Sequence, residues 1–234
     1  ILEDFPMTFD EIVNAARAAT GLPDPDKDTW QEGLQILLRD HARADILTEK
    51  GQAILKRRYV NALSARMRVD NYIRRNPAVL DTPVERPVFI LGMVRTGTTM
   101  ASYLMDSDPA TRSLLRWEAY NVAPPAAPGL TRTDERCLAE KATDEQMIKG
   151  NPEGVATHFE PADGPTECVH LVAQDFRSMM FTALSTTPVY ADWILHCDMG
   201  SAFEHRKRVF QILQSTNPGR WVLKMPSDSV FIPW

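Results

Sequence analysis

The stretch that decides the fold reads Pro87-Val-Phe-Ile-Leu-Gly-Met-Val-Arg-Thr-Gly-Thr-Thr-Met100. It begins with a short apolar run of β-forming residues, after which Gly92 and Gly97 bracket four residues, and a helical pattern opens at Thr98. In a strand–turn–helix of this kind, the backbone N–H groups of the turn and of the first helical turn converge on one point and favour an anion there. The stretch therefore predicts a phosphate-binding loop.

The side chains of this loop strengthen the prediction and narrow its chemistry. Arg95 adds a positive charge, and the hydroxyls of Thr96, Thr98 and Thr99 add hydrogen-bond donors. The loop of nucleotide triphosphatases, Gly-x4-Gly-Lys-[Ser/Thr], carries its lysine where this chain has Thr98. Because the cation stands instead at Arg95, before the second glycine, the pattern disfavours a kinase or ATPase and keeps an anion site.

On these residues the chain resembles the sulfotransferases, which move a sulfuryl group from 3'-phosphoadenosine 5'-phosphosulfate (PAPS) to an acceptor. The similarity is to the bacterial-type family, in which an arginine replaces the lysine of the cytosolic enzymes. Four later stretches fit the same family: Arg116-Trp-Glu118, Pro165-Thr-Glu-Cys168, the helix around Phe203 to Gln214, and Arg220-Trp-Val-Leu-Lys-Met-Pro226. The resemblance runs from about residue 45 to the last residue and implies a helix-rich α/β fold. We expect an N-terminal helical region over residues 1–80 and, over 81–234, a P-loop parallel sheet flanked by helices.

The resemblance also implies how the donor is held. It assigns Arg95, Thr96, Gly97, Thr98 and Thr99 to PAPS, with adenosine 3',5'-bisphosphate as the product and no metal. In the family, an Arg and Ser pair that grips the 3'-phosphate follows a later strand, and this sequence stops at Trp234 before such a pair. We therefore expect the sulfotransferase-like domain to be incomplete at its C-terminus, and residues 1–234 alone to bind PAPS weakly and turn over little.

Lys224 is the next candidate, because it ends an apolar strand pattern, where a charged side chain must pair or face a polar cleft. The resemblance places a lysine here near the transferring group. A strand-end lysine without a catalytic role is the alternative.

Sulfuryl transfer to an alcohol needs a general base, and two residues compete for that role. Residues 112–118 read as a second parallel strand that ends at Glu118, which would lie at the carboxyl edge of the sheet, where α/β folds bind ligands. The alternative for Glu118 is a salt bridge to Arg112 or Arg116. His158 is the second candidate, because imidazole titrates near neutrality, and its alternative is an ordinary surface histidine.

Helix signals surround these candidates. Caps and apolar spacing predict helices over residues 8–19, 29–40, 48–75, 97–105, 131–149, 190–195 and 200–215, with a strand over 221–224. Glu167 is predicted to cap a helix that starts at residues 164–167. His41, near a helix end, is predicted to lie on the surface.

Composition excludes several classes of protein. The 234 residues carry a net charge of −5, which gives no reason to expect nucleic-acid binding. No apolar run approaches the roughly 18 residues that would cross a bilayer. Three widely spaced cysteines indicate reduced thiols, so we expect a cytoplasmic protein. The expected partner is a small-molecule acceptor, and the N-terminal helices could form a homo-oligomer.

The leading hypothesis is a PAPS-dependent sulfotransferase that acts on a hydroxyl or amine of a small or medium-sized acceptor. Two alternatives stand beside it. A P-loop kinase-like phosphotransferase would need an acidic Mg²⁺-holding residue at the end of another apolar strand, and no apolar run ends in Asp. A non-catalytic phosphate-loop binding module is the other.

Overall fold

The structure is a computed structural model that describes residues 7–42, 47–93, 95–150, 152–153 and 159–231. The chain forms two compact units. The first contains residues 1–76, 169–206 and 230–234, and the second contains residues 77–168 and 207–229. Both units are discontinuous in sequence, whereas the division predicted at residue 80 separates two consecutive segments.

Helices make up most of the described chain. In chain order the α-helices are α1 Phe9–Thr20, α2 Thr29–Ala42, α3 Glu49–Arg75, α4 Thr98–Asp106, α5 Arg116–Tyr120, α6 Glu135–Gly150, α7 Val169–Val172, α8 Met180–Leu184, α9 Pro188–His196 and α10 Gly200–Thr216. The strands are β1 Val88–Ile90, β2 Thr111–Ser113 and β3 Arg220–Lys224. Short 3₁₀ turns cover Pro77–Asp81, Ala173–Asp175 and Pro226–Val230.

The N-terminal helices form where their cap signals predict them. Thr8 and Glu11 make a reciprocal capping box at the start of α1, and Gly21 ends that helix with a left-handed backbone, φ +66°. Thr48 caps α3 by accepting a hydrogen bond from the backbone N–H of Gly51. In the first unit α1 packs on α3, and aromatic side chains dominate the core: Trp30, Tyr59, Phe176, Phe181 and Tyr190.

His41 corrects one prediction. It lies in α2 as expected, but its side chain is buried and not on the surface. Its Nε2 lies 2.5 Å from the hydroxyl oxygen of Tyr59, and the two rings stack. Desolvation lowers the pKa of His41 from its usual value of 6.5, against the attraction of the neighbouring Asp40 carboxylate.

The second unit is built on a parallel three-stranded sheet of order β1-β3-β2. Val88 pairs with Val222 in the register of β1 and β3, and Ser113 pairs with the same residue from β2. Helix α4 packs against the sheet and connects β1 to β2. Because all three strands run in the same direction, their carboxyl ends meet at one edge, as predicted for a P-loop fold. The α/β, helix-rich fold class is confirmed.

The strand predicted over residues 112–118 is too long. β2 ends at Ser113, and Glu118 lies inside the short helix α5. An apolar pair, Leu114 and Leu115, fits both a buried strand and a helix start, so periodicity alone could not separate the two.

The helix start predicted at residues 164–167 is also wrong. Pro165 forms an antiparallel bridge with Leu115, and Glu167 forms a parallel bridge with Lys224. Helix α7 begins only at Val169. Residues 165–168, called the bridge segment below, therefore lie beside the carboxyl end of β3, where β2 no longer runs.

Two kinds of feature are absent from the described residues. No helix in this part of the chain is long and apolar enough to cross a membrane. The same residues hold no group of three or more His, Cys, Asp or Glu side chains arranged to hold a metal ion.

Candidate functional site

The loop after β1 has the backbone that the sequence predicts for a phosphate loop. Gly97 precedes α4 with φ +88°, and Arg95 also has a positive φ of +68°, which is uncommon outside glycine. A Cβ added at Gly92 would lie 3.1 Å from Thr96 Oγ1 and 3.3 Å from a methyl group of Thr98. The loop is therefore wound tightly against the start of its helix.

The polar groups of the loop have distinct places. The Thr96 hydroxyl donates to the carbonyl of Met93 at 2.6 Å and so closes the turn internally. Thr98 and Thr99 are the first two residues of α4, where backbone N–H groups have no partner within the helix. Arg95 is exposed. The turn thus presents a cationic side chain and a helix N-terminus at the carboxyl edge of the sheet.

Lys224 joins the end of β3 to this loop. Its side chain is 0% exposed, and its Nζ lies 3.3 Å from Thr99 Oγ1, 3.0 Å from Glu160 Oε1 and 3.4 Å from Glu167 Oε1. A buried ammonium needs counter-charges and hydrogen-bond acceptors, and these three oxygens provide them. Of the predicted site residues, the structure brings together Thr99 and Lys224.

Sequence reasoning placed neither carboxylate beside Lys224: it did not single out Glu160, and it predicted Glu167 to cap a helix. Glu160 precedes the bridge segment, and Glu167 lies in it, so both come from chain far from β3 in sequence. The available signal was the buried lysine itself, which requires an acidic partner. The sequence offered many acids and no means of choosing among them.

The bridge segment also determines what surrounds Glu160. The Thr166 hydroxyl donates to Glu160 Oε2 at 2.5 Å, while the Thr166 backbone N–H donates to the carbonyl of Leu114. Tyr103 of α4 is half-buried nearby, and desolvation, followed by the charge of Glu160, raises the pKa of its phenol.

Glu118 lies elsewhere in the second unit. It is 1% exposed, and its Oε1 accepts a hydrogen bond from Arg112 Nη2 at 2.8 Å, so the salt-bridge alternative describes its contacts. Arg112 is in register with Trp221, three residues before Lys224, which corresponds to about 10 Å along the strand. Desolvation raises the pKa of Glu118 and outweighs the opposing attraction of Arg112. The structure does not bring Glu118 to Lys224.

His158, the other candidate base, lies outside the described residues. Its role stays a prediction, as does that of Glu118.

Comparisons with known proteins agree with the fold of the chain. Residues 87–233 match the model of the sulfotransferase family. The solved structure of sulfotransferase STF9 from Mycobacterium avium is 42% identical to this chain, with a TM-score of 0.92, and the match covers 98% of this chain and 59% of that one. Sulfotransferase STF1 from Mycobacterium tuberculosis H37Rv is 30% identical, with a TM-score of 0.86, over 96% of this chain and 62% of that one. No curated protein sequence matches this chain.

The coverage values bear on function. The chain spans about three fifths of the length of these two solved relatives. The family match begins at Pro87, at the start of the loop stretch, and includes β3 and Lys224.

Proposed function

Because the chain belongs to the sulfotransferase family, we propose that its protein transfers a sulfuryl group from PAPS to a hydroxyl or amine of a small or medium-sized acceptor. The observation that carries the proposal is the contact between Lys224 Nζ and Thr99 Oγ1. It places a buried cation at the first turn of the loop helix, on the edge where an anionic donor would bind.

The loop supports PAPS as the donor substrate. The exposed Arg95, the first-turn N–H groups of α4 and the hydroxyls of Thr98 and Thr99 suit a doubly charged phosphosulfate group. β3 ends in Lys224 and not in an acidic residue, which argues for this donor over the kinase-like alternative. We assign the 5'-phosphosulfate group of PAPS to the predicted donor residues, which are Arg95, Thr96, Gly97, Thr98 and Thr99.

In the proposed reaction the acceptor oxygen or nitrogen attacks sulfur, and the bond between sulfur and the bridging phosphate oxygen breaks. The electron pair of that bond leaves with adenosine 3',5'-bisphosphate, and the acceptor proton passes to a base. Arg95 and Lys224 stabilise the negative charge that develops on the leaving group and the sulfuryl oxygens. Such transfer depends mainly on positioning and electrostatics.

We assign the general base to Glu167. Its side chain is 27% exposed, so it can reach an acceptor, and it contacts Lys224 at the same sheet edge as the loop. The carboxylate of Glu118 is buried in an ion pair with Arg112, so it is not accessible to an acceptor. Glu118 and His158 remain the competing predictions.

The test uses the full-length protein with PAPS and a panel of phenols, sterols, sugars and amines, and follows release of the bisphosphate. We expect acceptor-dependent release. Glu167→Gln should lower kcat at least about 100-fold, because a general base contributes roughly 10²–10⁴. The matched variant Glu118→Gln should keep kcat within about threefold when assayed below its unfolding temperature.

Two results would contradict this proposal. If folded Glu118→Gln is inactive and Glu167→Gln is not, the base is Glu118. If the wild-type protein releases no bisphosphate with any acceptor or with water, the protein is a non-catalytic binding module and not an enzyme.

We also propose that the protein is cytoplasmic. The three free thiols, Cys137, Cys168 and Cys197, are consistent with that location. Oligomerisation through the N-terminal helices stays a prediction.

A further inference from the structure

We infer that Glu160 is a positioning residue that holds Lys224 in place for sulfuryl transfer, an inference that rests on the proposed function. Glu160 Oε1 accepts a hydrogen bond from Lys224 Nζ at 3.0 Å. Its side chain is 9% exposed and that of Lys224 is 0% exposed, so the pair is withdrawn from water. A pair of this kind fixes both side chains more firmly than a solvated one.

The two carboxylates on Lys224 have different environments. Glu160 uses one oxygen for Lys224 and the other for the Thr166 hydroxyl. Glu167 is three times as exposed, and its Oε1 lies at the longer distance of 3.4 Å from Nζ. Glu160 is thus arranged to hold the lysine, and Glu167 remains accessible to an acceptor.

Thr166 is the group that orients Glu160. It is 2% exposed, and its backbone N–H is held by the carbonyl of Leu114 just after β2. Its hydroxyl therefore has a fixed position, from which it donates to Glu160 Oε2 at 2.5 Å. A chain of hydrogen bonds runs from Thr166 through Glu160 to Lys224 and on to Thr99 at the loop.

This arrangement has a consequence for the reaction. Without the charge of Glu160, the carboxylate of Glu167 is the remaining charged partner of the Lys224 ammonium within the part of the chain that the structure describes, so we expect the ammonium to move toward Glu167. That movement would draw Lys224 away from Thr99 and also occupy the proposed base. Donor binding through Arg95 and the loop would change little, so the defect should appear in kcat and not in affinity.

The experiment measures bisphosphate release from PAPS and the Kd of adenosine 3',5'-bisphosphate in the full-length protein. Glu160→Gln, which keeps the shape of the side chain, should lower kcat about 10- to 100-fold and leave Kd within about threefold. Glu145→Gln, an exposed glutamate of α6 in the same unit, is the matched control and should leave both values unchanged.

A second pair of variants tests the hydrogen-bond chain by another route. Thr166→Val removes the hydroxyl at nearly constant volume and should lower kcat about fivefold, whereas Thr166→Ser retains the hydroxyl and should restore most of the activity. In the Glu160→Gln background, Thr166→Val should have little further effect, because the charge that Thr166 orients toward Lys224 is already gone. A residue with a merely structural role would give additive losses and no rescue by serine.

The outcomes separate this inference from the proposed function. If wild-type protein releases no bisphosphate from PAPS, the function fails and the inference fails with it. If wild-type protein is active and Glu160→Gln keeps kcat within about threefold, only the inference is overturned. Additive effects of Glu160→Gln and Thr166→Val, or a loss confined to KM, would overturn it as well.

Discussion

At the scale of single residues, burial decides what each charged side chain can do. Glu118 and Arg112 form a buried pair in which desolvation opposes the charge on both: it raises the pKa of Glu118 and lowers the pKa of Arg112. Lys224 is equally buried but has three oxygen contacts, two of them carboxylates. Glu118 and Arg112 thus neutralise each other, whereas Lys224 also contacts Thr99 of the phosphate loop.

The Glu118–Arg112 pair leads to a prediction about stability. Glu118→Gln should destabilise the fold by about 3 kcal/mol, because it leaves the buried Arg112 without a counter-charge. Glu140→Gln is the control, since Glu140 is partly exposed and Arg116 keeps its shorter contact to Asp144; it should cost less than about 1 kcal/mol. Urea unfolding measures both. Equal midpoints for Glu118→Gln and wild type would contradict the prediction.

His41 leads to a prediction about pH. Its pKa in the folded protein lies below the usual 6.5, so the unfolded chain takes up the proton first as the pH falls. The contribution of His41 to stability is therefore complete above about pH 6.5 and is lost as the pH falls below that value. Between pH 7.5 and 5.5, wild type should therefore lose more stability than His41→Gln. Urea unfolding of both proteins at the two pH values measures the difference. Equal losses of stability in wild type and His41→Gln would refute the prediction.

Arg95 and Lys224 could be singled out from the sequence because each interrupts a pattern: a glycine turn in one case and an apolar strand in the other. Glu160 and Glu167 could not, because their relation to Lys224 exists only after the bridge segment has folded beside β3. Sequence spacing predicts contacts along one helix or strand, and these contacts span about 60 residues.

At the scale of elements, local signals predicted the helices well. Caps at Thr8 and Thr48 gave the starts of α1 and α3, and left-handed Gly21 gave the end of α1. The failures, the overlong β2 and the missing bridge segment, lie where short extended pieces are held by neighbours more than by their own propensity.

The importance of the position of the bridge segment can be tested by substituting Gly164, the glycine that precedes it. A Cβ at Gly164 would lie 2.7 Å from Pro161 Cγ and 2.8 Å from the Tyr103 hydroxyl. Gly164→Ala should therefore displace the bridge segment, lower kcat about tenfold and cost about 1–3 kcal/mol of stability. Gly150→Ala is the control, because a Cβ there meets nothing within 4 Å. Thermal unfolding and PAPS turnover indistinguishable from the control would show that the segment tolerates the change.

At the scale of the whole molecule, the family match spans all three strands of the parallel sheet, and α/β folds bind ligands at the carboxyl edge of such a sheet. The loop, Lys224 and the bridge segment all lie in the second unit, at the carboxyl edge of its sheet. The fold class followed from the loop stretch together with the four later stretches that resemble the sulfotransferases in the same order. The division into two discontinuous units could not be predicted in the same way, because it depends on how the later segments of the chain are divided between the units.

The most direct measurement is a calorimetric titration of adenosine 3',5'-bisphosphate into the full-length protein, with ATP and GTP as competing ligands. We predict that the bisphosphate binds more tightly than either nucleotide. Arg95→Ala should weaken its binding at least about tenfold, whereas Arg57→Ala, an exposed arginine of α3, should leave it unchanged. Tighter binding of ATP, or an Arg95→Ala protein that binds the bisphosphate as wild type does, would contradict the assignment of this loop to a PAPS donor.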